Sequence, residues 1–477
     1  MPDSLEQFFN KVDELSGSFI NDRLASAIKI QSVSDDPDKH TELDEMTNFL
    51  VAELEKLDVA VKTYDIGDRP DKKAIKLPKV VVGRYPKISD SKKKTILVYG
   101  HYDVQPEGTG WSHCPWKLEE DNGRLFGRGT TDDKGPVLSW INALDAHQQA
   151  KVDIPLNVLF CFEGMEESGS IGFSQFMKNN KELFASVDAA CISDNYWLTT
   201  RKPCLTYGLR GIDYFTITVS HRGVQLHSGM FGGTVHEPLT DLVILLSKLV
   251  DSKGKILIPG VNELVDPMTL TEKERYKKID FQMDDFYSSI GSEAAIYDNP
   301  TDTLMHRWRY PSLTIHGISG ADSSTDETTA IYPNVTAKFS IRTVPCMPGD
   351  KVAKLTIDYI NSEFAKLGSK NTCEAALFGE SVPYWMGTPD DTNFTAGSNA
   401  TERVYGTANK PDLTREGGSI GVTLDLQDTL ADKSIMLLPV GTSNDGAHGP
   451  DEKIDKRNYI DGAKLLGAYW HYFAAQA

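Results

Sequence analysis

The sequence predicts an α/β fold, in which helices cover a mixed sheet and a smaller α+β domain is inserted. Short, nearly all-apolar runs such as KKTILVYG, IPLNVLFCF and VDAACISD alternate with helical patterns such as DKGPVLSWINALDAHQQ. Runs of this kind are typical of strands buried on both faces, and helices between them would cover the sheet. The pattern changes between about Gly211 and Ser381, which indicates a second, inserted domain.

Both ends of the chain are predicted to contribute to the main domain. Two amphipathic stretches open the sequence, and in the second of them Met46, Leu50, Leu54 and Leu57 recur at the spacing of one helix face. The last part of the chain returns to the α/β pattern, with SIMLLPVG as a buried strand and NYIDGAKLLGAYWHYFAAQ as a closing helix. We therefore expect the first and last parts of the chain to share one core.

The inserted domain is predicted from the strand DYFTITVS, the helix EPLTDLVILLSKLVD, the strand VTAKFSIRTV and a helix near Val352 to Leu367. Within it, the segment from Gly254 to Ser312 is rich in Lys, Glu, Asp and Tyr, and its pattern permits no assignment. A segment of that length usually carries function or an interface. The expected division of the chain is 1–211 and 385–477 for the main domain and 212–384 for the inserted domain.

Composition and charge disfavour several classes of function. The 68 acidic residues outnumber the 50 basic ones and give a formal charge of -18, which disfavours binding to nucleic acid or to an anionic membrane. The N-terminal segment carries acids where a signal peptide would need a basic start and an apolar core. No long uncharged apolar run occurs elsewhere. We therefore expect a cytoplasmic protein without nucleic-acid or membrane partners.

Cysteine spacing and glycine patterns narrow the choice further. The cysteines form no C-x-x-C pair, which argues against a zinc ribbon or a thioredoxin-type centre, and we expect them to be buried free thiols. The stretch GRGTTDDKG lacks the spacing of a phosphate-binding loop, so nucleotide binding is disfavoured. The six cysteines are Cys114, Cys161, Cys191, Cys204, Cys346 and Cys373.

Polar side chains follow two of the predicted strands at the points where the strands end. His101 and Asp103 come directly after one apolar run and point to the same side if the strand persists. An imidazole that binds a metal commonly donates its other N–H to a carboxylate, which suits Asp103. Glu163, Glu166 and Glu167 follow another apolar run, although three exposed acids there would also be unremarkable.

Three further clusters of polar residues lie at the end of an apolar run or in glycine-flanked turns and loops. Asp132 and Asp133 lie in a glycine-flanked turn before a helix, where paired acids could equally cap that helix. Asp194 ends a third apolar run, and His448 lies in the glycine-flanked loop NDGAHGPDE. The convergence of two histidines and several carboxylates at strand ends predicts a site for hard or borderline metal ions.

At these residues the chain resembles the M20 family of metallopeptidases, and within it the dipeptidases of the carnosine and Cys-Gly types. The resemblance spans nearly the whole chain, and its motifs occur in the family's order. It implies a di-metal hydrolase domain with an inserted lid and dimerisation domain. The motifs are YGHYDVQP, GRGTTDDKGP, CFEGMEESGS, CISDNYW, PCLTYGLRGI, LHSGMFGG, MHRWRYPSL, KFSIRTVP, LTREGGSI and NDGAH.

The resemblance implies two divalent metal ions, zinc or manganese, in each subunit. His101 and Asp194 would bind one ion, Glu167 and His448 would bind the other, and Asp132 would bridge both. These donor types accept either metal, so the sequence does not choose between them.

The resemblance also implies catalytic roles for three residues. Glu166 would be the general base, and Asp103 would orient His101. His227 would reach the oxyanion from the lid domain of a partner subunit, so a homodimer is expected.

Substrate contacts are implied on the lid domain and on the second part of the main domain. Two local departures from the family's pattern lie nearby, because TAIYP carries its proline one position late and SIGVT has Gly421 where a proline is common. The implied substrate-binding residues are Thr329, Arg342, Gly417, Gly418 and Ser419.

The expected reaction is metal-dependent hydrolysis of dipeptides, including the Cys-Gly produced in glutathione breakdown. An N-acyl amino-acid deacylase of the same family would use the same metals and base. A metal-binding scaffold without turnover is the alternative from another class, and loss of the base would be typical of it. Glu166 is present in this chain.

Overall fold

The computed structural model describes residues 2–70, 75–379, 381–431 and 433–476. Within that part of the chain, the larger of the sheets has nine strands, and four neighbouring strands at its centre are parallel. In spatial order its strands are Ala60–Tyr64, Val80–Tyr85, Asn157–Glu163, Thr95–His101, Ala189–Ile192, Ser434–Leu437, Cys204–Leu209 and Trp385–Met386, with Asp412–Glu416 paired to Cys204–Leu209.

Alternating side chains of the central strands enter two separate cores. In the strand Thr95–His101, Ile96 and Val98 belong to one core, whereas Leu97 and Tyr99 belong to the other. Helices cover both faces, so the predicted α/β fold is confirmed. One face carries the helices Pro2–Ser18, Ala25–Lys29, His40–Lys56, Lys134–Ala150, Thr392–Tyr405 and Lys456–Ala474, and the other carries Phe173–Asn179 and Val422–Leu430.

A second, antiparallel sheet has its own core. Phe215 and Phe339 stack across two of its strands with ring centroids 5.1 Å apart, and helices Pro238–Leu246 and Gly349–Leu367 contribute to the same core. This agrees with the expected α+β character, while the boundaries proposed at residues 211 and 384 stay a prediction. In spatial order the strands are Ser312–Ser319, Asn334–Thr343, Gly211–Ser220 and Thr372–Leu377.

The segment that the sequence left unassigned contains three short helices and packs around a small core of its own. That core includes Tyr276, Phe281 and Trp308. Arg201, which lies outside the segment, donates two hydrogen bonds to the Asp285 carboxylate, at 2.6 and 2.8 Å. The elements of this segment are the turn Asn262–Leu264 and the helices Leu270–Lys278, Met283–Ile290 and Pro300–Trp308.

Short elements complete the described part of the chain, in which no helix combines the length and apolar character needed to cross a membrane. The short strand pairs are Leu226–His227 with Ala330–Ile331 and Tyr196–Trp197 with Gly441–Thr442, and a small sheet contains Glu119–Asp121, Arg124–Phe126 and Lys453–Asp455. The remaining helical turns are Phe19–Leu24, Pro37–Lys39, Glu166–Ser168, Lys181–Leu183, Ser228–Phe231 and Thr407–Asn409.

The cysteines are all free thiols, but the prediction that all are buried is wrong. Cys114 and Cys346 are exposed and Cys373 is half-buried. Cys346 lies in the turn after a strand, where its thiol donates to the Asp266 carboxylate at 2.9 Å. Turns stay at the surface because their backbone needs water, so a cysteine placed there is exposed.

Candidate metal centre and substrate cavity

The carboxyl ends of the four central parallel strands meet at one edge of the large sheet. His101 is the last residue of its strand, and Asp194 lies two residues beyond the strand Ala189–Ile192. Glu166 and Glu167 open a helical turn just after the strand Asn157–Glu163. The sheet therefore brings together side chains that are far apart in sequence.

One group of possible metal donors is buried. The Nε2 atom of His101 lies 3.1 Å from an Asp132 carboxylate oxygen and 3.6 Å from an Asp194 carboxylate oxygen. One donor atom from each of the three residues lies within 4.8 Å of the others. These residues could hold one metal ion.

A second group shares Asp132. The Nε2 atom of His448 lies 3.0 Å from the other Asp132 oxygen and 3.2 Å from a Glu167 oxygen. The Asp132 carboxylate thus faces both histidines, one through each oxygen. The five residues that the sequence proposed as ligands form two groups of three donors with Asp132 in common.

The chemistry of the two groups fits divalent cations. Imidazole nitrogens and carboxylate oxygens suit borderline and hard metals, and three protein donors leave positions for water or substrate, as in catalytic sites. The Asp132 and Glu167 carboxylates raise the pKa of His448 to about 10, so the cluster stabilises positive charge. The site therefore fits the metal ions that the resemblance implied.

Glycines shape the turn that carries Asp132. Gly129 has φ +88°, a backbone conformation that other residues rarely adopt, and a side chain at Gly135 would collide with the backbone oxygen of Thr130 at 1.9 Å. The Asp132–Asp133 peptide bond is cis. The His101 N–H donates to Asp133 at 3.1 Å, which ties this turn to the end of the neighbouring strand.

Asp103 links one metal group to the turn that carries the proposed base. It is fully buried, and one of its oxygens lies 3.3 Å from Nδ1 of His101. Its two oxygens also accept the backbone N–H groups of Glu166 and Glu167, at 3.2 and 3.0 Å. Asp103 therefore lies where an orienting residue for His101 would be placed.

Glu166 lies at the edge of the metal cluster and lines the cavity above it. One of its carboxylate oxygens is 4.0 Å from Nε2 of His101. Burial raises its pKa well above the usual range, and the neighbouring Asp194 and Glu167 carboxylates act in the same direction. A glutamate with a raised pKa can accept and return a proton near neutral pH.

Glu452, which holds the loop before Asp132, was not predicted from the sequence. Glu452 is fully buried and accepts the backbone N–H groups of Gly129, Thr131 and Asp132 at 3.0 to 3.2 Å. It also forms a 2.7 Å ion pair with the buried guanidinium of Arg128. The only signal in the sequence was an acid in NDGAHGPDE, which resembles an ordinary solvated charge.

Asp445 performs a similar task and was also missed. Its carboxylate accepts hydrogen bonds from the Thr131 hydroxyl at 2.8 Å and from the buried Lys453 ammonium at 2.5 Å. It also accepts the backbone N–H of Thr442 at 2.8 Å. Asp445 therefore fastens the loop that leads to His448 against the turn that carries Asp132.

A cavity of about 1120 Å³ opens over the metal cluster. Gly418 and Ser419 line its wall, and Arg342 donates to the Ser419 hydroxyl at 3.1 Å. Three of the proposed substrate residues, Arg342, Gly418 and Ser419, therefore lie at or beside the cavity wall. The fourth, Gly417, directly follows the strand Asp412–Glu416 and precedes Gly418. The segment that was unassigned from sequence supplies another part of the lining, through Phe281, Asp285, Phe286, Ser288, Ser289, Ile290 and Arg307.

The chain does not bring His227 and Thr329 to this cavity. The strand Leu226–His227 pairs with Ala330–Ile331, which directly follows Thr329, and Nε2 of His227 lies 3.5 Å from the Thr329 hydroxyl. Both residues are exposed, and neither belongs to the cavity lining. Within one chain, the predicted site is thus divided between two places.

Comparison with known proteins agrees with the geometry. The profile of Peptidase family M20/M25/M40 matches residues 97–472. The Cys-Gly metallodipeptidase dug1 of Schizosaccharomyces pombe is 46% identical over 477 residues, which are 99% of this chain and 99% of the relative. The human Beta-Ala-His dipeptidase is 40% identical, over 98% of this chain and 92% of the relative.

Solved structures show the same fold. The structure of the di-peptidase Dug1p from Saccharomyces cerevisiae has a TM-score of 0.87 and 44% identity, with all of both chains covered. Human carnosine dipeptidase 1 also gives 0.87, at 38% identity and 99% coverage of each chain. The resemblance inferred from the sequence motifs is thereby confirmed, and the chain belongs to the M20/M25/M40 family of peptidases.

Proposed function

We propose that this chain is a dipeptidase that uses two divalent cations, zinc or manganese, and that Cys-Gly is among its substrates. The observation that carries the proposal is the pair of three-donor groups sharing Asp132, with Glu166 beside them in the same cavity. The substrate is supported by the Cys-Gly metallodipeptidase that matches this chain over 99% of both lengths.

The proposed ligands are His101 and Asp194 for one cation, Glu167 and His448 for the other, and Asp132 for both. When bound, the two cations would activate a water and polarise the scissile carbonyl. Asp103 would keep His101 in one tautomer, because its backbone oxygen lies 3.1 Å and its carboxylate 3.3 Å from Nδ1.

Glu166 is the proposed general base and acid. Its carboxylate would take a proton from the attacking water and pass it to the nitrogen of the leaving amine. The raised pKa that burial gives Glu166 suits the second transfer, since the protonated form must exist to donate. The backbone N–H of Glu166, bonded to Asp103, keeps the carboxylate near the cluster.

Arg342, Ser419, Gly417 and Gly418 are proposed to hold the main chain and free carboxylate of the substrate. The hydrogen bond from Arg342 to Ser419 connects the inserted domain to the cavity wall. A guanidinium can hold a carboxylate through two parallel hydrogen bonds, which would favour short peptides with a free C-terminus.

We further propose that residues 212–384 form a lid and dimerisation domain, and that His227 and Thr329 act on the cavity of a partner subunit. Both face solvent in their own chain. Large exposed apolar side chains lie nearby in sequence, including Val224 at 73% and Met230 at 72% exposure. Exposed apolar surface of this kind is typical of protein interfaces.

A cytoplasmic location is proposed because all six cysteines are unpaired in the described structure. Disulfides are rare where thiols are kept reduced.

The test is hydrolysis of Cys-Gly, β-Ala-His and an N-acetyl amino acid by metal-stripped protein refilled with zinc or manganese. We expect metal-dependent cleavage of Cys-Gly that Glu166→Ala abolishes. Preference for the N-acetyl amino acid would indicate a deacylase instead. Absence of turnover with either metal would contradict the enzyme proposal and favour a scaffold.

A further inference from the structure

We propose that Gln105 positions the carboxylate of Glu167 for metal binding, and that this contact sets the affinity of the cation site that Glu167 shares with His448. The inference rests on the proposed two-cation function and adds to it a positioning residue that acts on one of the two sites. Gln105 belongs to the motif YGHYDVQP, in which the sequence indicated roles only for His101 and Asp103.

Gln105 contacts Glu167 through both its side chain and its backbone. The side-chain Nε2 donates to Oε2 of Glu167 at 2.8 Å, and the backbone N–H donates to Oε1 at 3.2 Å. The same side-chain nitrogen lies 3.5 Å from the backbone oxygen of Glu167. Both neighbours of this nitrogen are acceptors, so the amide must present its N–H groups to Glu167. Each oxygen of the Glu167 carboxylate therefore has a donor from Gln105.

The position of Gln105 follows from the segment that continues the strand Thr95–His101. His101, Asp103 and Gln105 are two residues apart, which places them on the same side where the chain stays extended. Asp103 accepts the backbone N–H of Glu167 at 3.0 Å, whereas Gln105 donates to the carboxylate of the same residue. Alternate residues of one segment thus supply a possible ligand, a contact to the backbone of Glu167 and a contact to its side chain.

The backbone on both sides of Gln105 is held in place. The Val104 N–H donates to the Ser32 carbonyl at 2.9 Å. On the other side, the buried guanidinium of Arg128 donates to the Pro106 carbonyl at 3.1 Å. The amide of Gln105 therefore extends towards Glu167 from a fixed point of the chain.

The two groups of metal donors differ in burial, and Gln105 serves the more open one. His101 is fully buried, whereas the side chain of His448 is 58% exposed. Packing therefore restrains His448 less than it restrains His101. The side chain of Glu167 is only 5% exposed, and a carboxylate so buried needs hydrogen-bond donors. In the more open group, Glu167 is thus the donor that the surrounding chain can hold in place.

Two effects of the Gln105 amide oppose one another. Its N–H draws charge from the Glu167 carboxylate, which weakens that carboxylate as a ligand. Its contact also restricts the side chain of Glu167, which reduces the conformational entropy lost when a cation binds. Loss of a hydrogen-bond partner of a metal ligand typically lowers metal affinity by about 10- to 100-fold, so the restriction has the larger effect. We therefore expect the amide to strengthen one cation site and to leave the other unchanged.

The test is zinc binding by metal-stripped Gln105→Leu protein, measured by competition with a chelator that resolves two binding steps. Leucine fills similar space but donates no side-chain hydrogen bond. We expect one step to weaken by about 10- to 100-fold and the other to match wild type. Glu167→Ala identifies the affected step, because it removes a donor of that site alone. Gln175→Leu is the matched control, since Gln175 is an exposed glutamine outside both donor groups and should change neither step.

A double-mutant cycle separates positioning from a general structural effect. In the Glu167→Ala background, Gln105→Leu should change zinc affinity by about 2-fold or less, because the carboxylate that the amide positions is absent. In the otherwise unchanged protein, the zinc concentration for half-maximal hydrolysis of Cys-Gly should rise by the same factor as the weakened binding step. The value of kcat at saturating zinc should stay near that of wild type.

Unchanged affinity of both steps in Gln105→Leu, or an equal loss in the wild-type and Glu167→Ala backgrounds, would overturn the positioning role. If the wild-type protein binds two zinc ions with the expected dependence on Gln105 but cleaves no dipeptide, the positioning role stands and the proposed function fails. If it cleaves dipeptides while Gln105→Leu binds zinc as wild type does, the proposed function stands and only the role of Gln105 fails.

Discussion

The metal centre and the surface around His227 differ in how far one chain determines their structure. His101 and Asp103 are fully buried, and Asp132 is only 6% exposed. His227 and Thr329, in contrast, are exposed and lie 3.5 Å from each other. One chain thus brings its possible metal donors together, including the exposed His448, whereas His227 and Thr329 lie outside the lining of the cavity over the metal cluster.

The largest expected effect concerns the metal centre. Glu166→Gln should lower kcat by about 10²- to 10⁴-fold, because the side chain keeps its shape but can no longer accept and return a proton. Metal content, measured by atomic absorption, should stay at the wild-type level, since Glu166 belongs to neither group of metal donors. Loss of metal from this variant would mean that Glu166 is a ligand rather than the base.

The next largest effect concerns the surface around His227. His227→Ala should lower kcat by about 10²- to 10³-fold, as expected for loss of an oxyanion donor. The metal content and the fold of the variant subunit should be unchanged, because His227 is exposed and contacts no metal donor that the structure describes.

Subunit mixing sharpens this second prediction. If His227 acts on the partner, heterodimers of Glu166→Gln and His227→Ala subunits regain one intact site, and a fully exchanged mixture should recover about a quarter of wild-type activity. Mixing each variant with itself is the control. Failure to recover activity, despite subunit exchange shown by mass spectrometry, would contradict action across subunits.

A smaller effect is expected at Glu452, which supports the metal centre without facing substrate. Glu452→Gln replaces one acceptor oxygen by an amide donor, which would face Arg128 or the backbone N–H groups of the loop. Zinc affinity, measured by competition with a chelator, should fall by about 10- to 100-fold, whereas kcat at saturating zinc should change much less.

Glu293→Gln is a suitable control for Glu452, because Glu293 is an exposed glutamate outside the metal centre. Unchanged zinc affinity in Glu452→Gln would show that the loop holds its shape without this carboxylate. A fall in kcat at saturating zinc as large as that of Glu166→Gln would point to a direct role in the reaction.

The sequence predicted the fold and the grouping of metal donors for one physical reason. Apolar runs identify buried strands, and parallel strands end at a common edge, so the polar residues that follow them must converge. His101 and Asp194 were found in this way from the residues alone. The assignment of particular donors to each ion depended on the family resemblance.

Other parts of the site could not be predicted, because their roles depend on backbone geometry. Glu452 acts on N–H groups of a glycine-shaped turn, and no side-chain pattern reports where those groups point. Arg307 lies in a segment whose short helices pack around a small separate core, so its apolar residues are too few to show a clear period. The prediction that Cys346 is buried was wrong because the sequence did not reveal the turn in which this residue lies.

The smallest predicted effect concerns the buried histidine pair His147 and His471. Nδ1 of His147 donates to the Ala143 carbonyl at 2.7 Å, and its Nε2 lies 3.0 Å from Nε2 of His471, so the neutral pair can share one N–H. Burial lowers the pKa of His147 to about 3 and that of His471 to about 4. In the unfolded chain both would titrate near pH ~6.5.

Both folded-state pKa values are depressed, so the unfolded chain binds protons more readily below pH ~6.5. The stability contributed by the neutral pair is therefore fully present above that pH and is lost as pH falls towards 4 and then 3. Replacing His471 by Gln removes one titrating group. Between pH 7.5 and 5.5, we expect the urea midpoint of this variant to fall less than that of wild type, by the equivalent of about 1 kcal/mol in unfolding free energy. Equal falls of the urea midpoint in both proteins would mean that the pair does not stay neutral in the folded protein. The core would then tolerate charge at this pair.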